Sequence, residues 1–206
     1  MAAKTTPDAR DRLLQMADRL FYAERIRAVG IDRVIAEANV AKATLYAHFP
    51  SKDALILAVL QYREAIVDAY FTEATARHRK RIKDPLRAFF AVLKEWFQSP
   101  GFRGCAFRNA AVELANPEHA GTAFVRGYKN RFHETLAGLV REAVGRAGEP
   151  IIPAIAVLVE AAIVTALIDR SPDAGSCLRS NRDDVLGPAT PVPSVAVAGS
   201  CTTYPT

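Results

Sequence analysis

Apolar residues recur at three- and four-residue intervals through most of this chain, and runs of Val, Ile and Thr with period-two alternation are missing. That spacing puts apolar side chains on one stripe of a 3.6-residue helix. Strands that alternate inward and outward are excluded by the same pattern, so the expected fold class is all-α. At 206 residues, 50% hydrophobic and 24% charged, the chain can bury a sizeable core, and disorder is excluded as the whole answer.

The helices can be placed by their stop and start residues. A first helix over about Asp8 to Arg27 carries Leu13, Ala17, Leu20, Phe21 and Ala28 on one side, and Gly30 is expected to end it. Asp32 can cap a short second helix through Ala38, and Asn39 tolerates the left-handed backbone of a tight turn. A third helix covers about Lys42 to His48. Pro50 disfavours helix at Phe49, and Ser51 caps a fourth helix that can run to Arg79. Asp84-Pro85 opens a helix that stops near Ser99-Pro100-Gly101, and a shorter one follows over about Cys105 to Ala115. Asn116-Pro117 predicts a long helix to about Arg146. An eighth helix is expected over Pro153 to Arg170 and a ninth over Pro172 to Leu186, before an uncharged, proline-broken tail over 187–206 that is expected to be mobile.

The segment from Asp32 to His48 has the layout of a helix-turn-helix. A recognition helix must bring its first side chains against base edges, so small residues such as Ala43 and Thr44 suit its start. Val34, Ala38, Val40 and Leu45 would lock the two helices together against Leu20 and Phe21. Lys42, Tyr46, His48 and Lys52 would supply donors for phosphate oxygens. His48 can equally be a cation at a helix end, favourable to the dipole. A net charge of +5 is compatible with a polyanionic partner without requiring one.

The stretch VIAEANVAKATLYAHFPSKDAL resembles the signature of the TetR family of bacterial transcriptional regulators, with its TLY triplet, HF and SK at the next helix start. The likeness covers roughly the first sixty residues, and GCAFRNAAVE with NPEH more faintly resembles one subgroup. The resemblance implies a three-helix DNA-binding domain over 1–52 and a helical ligand-binding and dimerisation domain over 53–186. It implies base or backbone contacts from Lys42, Ala43, Thr44 and Tyr46, phosphate contacts from His48 and Lys52, and a place for Phe49 in the core; Arg33 is a further candidate DNA contact. It also implies a palindromic double-stranded operator, a homodimer and a small-molecule effector, most simply as a repressor released by that effector. Two positions depart from the pattern: Asn39 stands where glycine is usual, and Ala41 stands at the cap usually held by serine or threonine. The missing cap removes about 1 kcal/mol of helix stabilisation.

Beyond that motif, Phe89, Phe90, Trp96, Phe97, Phe102, Phe107, Phe124, Tyr128 and Phe132 read mainly as core, with some lining a cavity. Trp96, Asn109 and Glu113 are the candidate ligand contacts, and Glu160 is a further polar residue on an apolar stripe. The competing reading is an all-helical carrier or enzyme without DNA binding. No nucleophile with a base, paired carboxylates, HExxH pair or CxxC spacing is evident, so neither catalysis nor a metal or other cofactor is expected. Cys105, Cys177 and Cys201 are too scattered for a disulfide framework, and Cys105 reads as a small buried hydrophobe. The amino terminus lacks a secretory pattern, which points to the cytoplasm. Ile151 to Ile168 is apolar, but Pro153 and Glu160 are expected to make it a buried helix rather than a membrane span.

Overall fold

A computed structural model describes residues 8–170. These form eight α-helices and one short 3-10 helix, with no strand among the described residues, as the apolar spacing predicts. The order is α1 (Ala9–Glu24), α2 (Ile31–Ala38), α3 (Lys42–His48), α4 (Lys52–Arg79), α5 (Pro85–Phe97), α6 (Ala106–Leu114), α7 (Ala120–Val144), the 3-10 helix (Gly145–Ile151) and α8 (Ile152–Asp169). The expected ninth helix and the tail over 187–206 lie outside the described residues.

Several starts follow the chemistry read from the sequence. The Asp8 carboxylate accepts from the Asp11 amide at 2.7 Å, the Ser51 hydroxyl from Ala54 at 3.0 Å, and Asp84 from Arg87 at 2.9 Å, with Pro85 in the first turn. Each satisfies an amide that a helix start leaves without an internal partner.

Three local expectations are corrected. The first helix stops at Glu24, and the chain turns at Arg25, whose φ of 83° is a conformation glycine adopts far more easily. Gly30 is instead the cap of α2, and Asp32 lies within that helix's first turn without capping it. The long helix begins at Ala120 rather than at Asn116-Pro117. The Asn116 side chain accepts from the Glu118 amide in a local turn, and His119 Nδ1 accepts from Gly121 at the true start.

Helix α4 joins the two halves of the molecule. Its first turns bury Leu55, Ile56, Val59 and Leu60, and further along Val67 and Phe71 pack against the same continuous core. The first part packs on α1 and the remainder contributes to contacts with α5 and α7. At the junction, the Tyr22 hydroxyl donates to the Gly104 carbonyl at 3.0 Å and accepts from the Arg103 amide at 2.9 Å. Gly104 has φ +77°, and a Cβ there would stand 3.1 Å from Leu167 of α8, so glycine suits both the turn and the close approach.

By length and composition, the region ending in α8 is apolar enough to cross a membrane, contrary to the expectation based on Pro153 and Glu160. In the fold, α8 buries Ile155, Val159, Ala162, Ile163 and Ala166 on one side. Glu160 is held by Arg108 and, at 2.5 Å, by Lys129.

Candidate nucleic-acid interface and bundle cavities

The turn between α2 and α3 is built on Asn39, which adopts the left-handed conformation (φ 50°, ψ 57°) and lets the Val40 amide reach the Ile35 carbonyl at 3.3 Å. Ala41 takes the extended geometry of an N-cap but offers no side-chain hydrogen bond, as its chemistry requires. Helix α3 is then fixed by two anchors: Leu45 is fully buried, and Phe49 just beyond the helix is 3% exposed. Both join a core that contains Leu20, Phe21, Val34 and Ala38. With the anchors inward, Lys42, Ala43, Tyr46, Ala47 and His48 are exposed, and Thr44 is half-buried at the edge. Tyr46 keeps 44% of its surface in solvent, unusual for a large aromatic residue with no core partner.

The charged candidates differ in their freedom. Lys42 Nζ is 3.0 Å from Asp32, whose hydrogen bond and charge raise the lysine pKa. Both groups are exposed, so this pair can exchange for a phosphate. Arg33 is tied to Glu24 at 2.5 Å and to Glu37 at 3.0 Å. Lys52 departs from the expected role: its ammonium donates to the Ile26 and Val29 carbonyls at 2.8 and 2.7 Å. It closes the loop between α1 and α2, and partial burial pulls its pKa down.

The three candidate ligand contacts are not brought together. Trp96 lines an inner cavity of about 50 Å³ with Phe71, Phe107, Tyr128, Lys129 and Phe132. Asn109 and Glu113 line a different, smaller recess between α1, α4 and α6. Asn109 Nδ2 donates to the Arg103 carbonyl at 2.9 Å. Glu113 accepts from the Arg27 amide at 3.2 Å and lies 3.9 Å from Arg25, so it braces the loop that enters α2. A third space, a cleft of about 610 Å³, opens between α4, α5 and α7 and shares Val67, Phe71, Tyr128 and Phe132 with the inner cavity.

Sequence reasoning missed Tyr22 and Arg63. Both line the recess and the inner cavity at once. The Arg63 guanidinium makes hydrogen bonds of 2.5 and 2.7 Å to Asp18 of α1 and stacks over the Tyr22 ring at 4.4 Å. Burial raises the Asp18 pKa more than Arg63 lowers it. A signal existed: Leu60, Arg63, Val67 and Phe71 follow three- and four-residue steps, so a cation stood on an apolar stripe. Among the described residues, no cluster of His, Cys, Asp and Glu could hold a metal ion.

The family model for bacterial regulatory proteins of the tetR family matches residues 13–59, from within α1 through the first turns of α4. The whole fold is similar to the crystal structure of SCO4454, a TetR-family transcriptional regulator from Streptomyces coelicolor. That likeness has 34% identity and a TM-score of 0.75, covering 86% of this chain and 93% of that one. The chain belongs to the TetR family. Among curated relatives in sequence, it is 33% identical over 99 residues to the HTH-type transcriptional activator FasR of Mycolicibacterium smegmatis, covering 47% of this chain and 44% of FasR. It is 25% identical over 179 residues to the HTH-type transcriptional regulator EthR of the same species, covering 83% and 81%. The chain spans about half the length of the first of these relatives, FasR, and the same holds for LmrA of Bacillus subtilis at 45%. The motif of this TetR-family chain therefore has relatives both by local match and by nearly complete fold.

Proposed function

We propose that this TetR-family chain is a cytoplasmic DNA-binding transcriptional regulator whose residues 1–52 form the DNA-reading head and whose residues 53–186 form a ligand-binding and dimerisation domain. The observation that carries this reading is the exposed face of α3, with Lys42, Ala43, Tyr46 and His48 outward and Leu45 buried. Small residues at the helix start let it approach base edges, and the polar tips at its sides suit phosphates. Arg33 becomes available when its pairs with Glu24 and Glu37 exchange for phosphate.

A second copy of the chain supplies the other half of the site. Ala154, Val157, Ala161, Val164 and Ile168 are exposed along α8 at steps of three and four residues, with Val157 and Ile168 about 70% exposed. That repeat is the seam of a helix-to-helix contact, and it supports a homodimer that spaces two α3 helices by roughly 34 Å on a palindromic operator.

The bundle cavities support regulation by a small molecule. Arg63 and Tyr22 face the inner cavity and also hold α1, so a ligand that moves them changes the placement of the head. Such a ligand lowers DNA affinity only by its preference for the non-binding arrangement, and in this reading the protein is a repressor that its effector releases.

Selection of bound sites from random double-stranded DNA tests the reading. An enriched palindrome is expected, with affinity falling steeply as salt rises. Lys42→Ala and Tyr46→Ala should each weaken binding to that site by at least about tenfold, in line with losing one good contact, while leaving the melting temperature unchanged. Wild-type affinity in both variants rejects α3 as the reading helix. A reporter behind the selected site that rises when the protein is removed supports repression, and one that falls rejects it.

A further inference from the structure

The cleft between α4, α5 and α7 has a volume of about 610 Å³, within the range of about 300–1,000 Å³ usual for small-molecule sites. Its apolar wall includes Phe71, Phe89 and Phe132, whose ring centroids step 6.1 and 6.2 Å apart. Three aromatic rings so close together make a wall that suits a flat aromatic body.

The charges around the cleft are not evenly matched. Arg131 is paired with Glu64 at 2.5 Å, and Arg79 is paired with Glu142. Asp68, one helical turn from Glu64 on α4, has no ion-pair or hydrogen-bond partner among the described residues. Partial burial raises its pKa, Glu64 raises it further, and Arg131 only partly offsets them. The cations at the rim already have carboxylates, so the unmatched charge is negative.

A second polar group also lacks a partner. Tyr128 is 8% exposed and its ring stacks on Phe107 at 3.7 Å, yet its hydroxyl makes no hydrogen bond among the described residues. This side chain belongs to the wall between the cleft and the inner cavity. Burial of the side chain pushes its pKa up, so its hydroxyl stays a neutral donor and acceptor open to a ligand.

We propose that this cleft binds an aromatic ligand bearing a protonated amine, with the ring against Phe71, Phe89 and Phe132 and the ammonium at Asp68. The inference rests on the ligand-binding reading of the larger domain and names its ligand class. Binding heats of 2-naphthylmethylamine, 2-naphthylmethanol and 2-naphthoate to the DNA-free protein test it, because the three share a ring system and differ in charge.

The amine should bind up to about fivefold more tightly than the alcohol, the scale of one exposed ion pair, and the carboxylate most weakly. Asp68→Asn, a change at an exposed position, should bring the amine down to the level of the alcohol. Equal binding of the carboxylate through Arg131, an undiminished amine preference in Asp68→Asn, or no binding by any of the three overturns the proposal. Amine binding that leaves operator affinity untouched supports the cleft's ligand class and rejects its role as the effector site, which separates the two readings.

Discussion

Helices α3 and α5 treat their side chains in opposite ways. Within α3, Leu45 alone is buried, whereas α5 buries eight residues, among them Phe89, Phe90, Leu93 and Phe97. The first is a short element held by an anchor at each side of its last turn, with the rest of its surface left for something outside the chain. The second is a wall of the interior, and what it offers a ligand is the space left between its neighbours. Stability and recognition are therefore separable in the head and coupled in the bundle. Substitutions can test that difference.

The largest effect should come from Phe107→Ala. Phe107 is 2% exposed and stacks on Tyr128, so its removal leaves a void beside an existing cavity. A loss of about 4 kcal/mol is expected on urea unfolding. The loss shrinks if an aromatic compound added to the solution fills the space. A loss below about 1 kcal/mol, the scale of a partly exposed site, contradicts the packed bundle described above.

Arg63→Met comes next. It leaves Asp18 without its partner in a place where the two side chains are only 12 and 18% exposed. A cost of about 3 kcal/mol follows from an uncompensated, largely buried carboxylate. Asp18→Asn added to that variant should restore part of the loss, because the neutral amide removes the stranded charge. Failure of the double variant to recover anything means that Arg63 acts through its stacking on Tyr22 instead.

The two regions also differ in how much of them could be read from the sequence. Local signals in the head placed its turn and the next cap, Asn39 giving the turn, Ser51 the cap and Leu45 the inward contact of α3, while the family likeness placed Phe49 in the core. The wrong boundary at Arg25 has a physical cause, since nothing local announces a non-glycine residue at φ 83°. The role of Lys52 was equally hidden, because the carbonyls it holds lie 23 and 26 residues away. In the bundle, the aromatic residues were visible as a set, but which of them share a space depends on how α4, α5 and α7 cross. Asn109 and Glu113 were recognised as polar residues on apolar stripes, and that pattern does not distinguish a ligand contact from a brace on the α1–α2 loop. Arg63 carried the same pattern and turned out to touch both cavity and head.

A pH titration sharpens the contrast at the far end of the bundle. Burial pushes the Glu160 carboxyl up, but the charges and hydrogen bonds of Lys129 and Arg108 outweigh it and hold the pKa below the ordinary glutamate value. A depressed folded pKa stabilises the fold above the unfolded value, about 4.3, and that contribution disappears as pH falls through the folded value. Wild-type stability should drop on acidification below about pH 4.3, and Glu160→Gln should be less stable at neutral pH but flatter across that window. Equal slopes in the two proteins rule out Glu160 as a source of the acid sensitivity.

The smallest effect should be a gain in the head. Ala41 already has the extended geometry of an N-cap, with φ −74° and ψ 151°, and its carbonyl accepts from Thr44 at 3.0 Å and Leu45 at 3.3 Å. What it lacks is a side-chain oxygen for the amides of Ala43 or Thr44. Ala41→Ser supplies one at an exposed position without crowding the core, and caps of this kind contribute about 1 kcal/mol. The expected rise in melting temperature is about 2–4 °C for a chain of this size. Because α3 keeps so few anchors, a better-ordered start should also slow dissociation from the selected DNA site. If the cap raises the melting temperature and dissociation is unchanged, α3 is already fully ordered by Leu45 and Phe49, and the exposed face is as rigid as the bundle behind it.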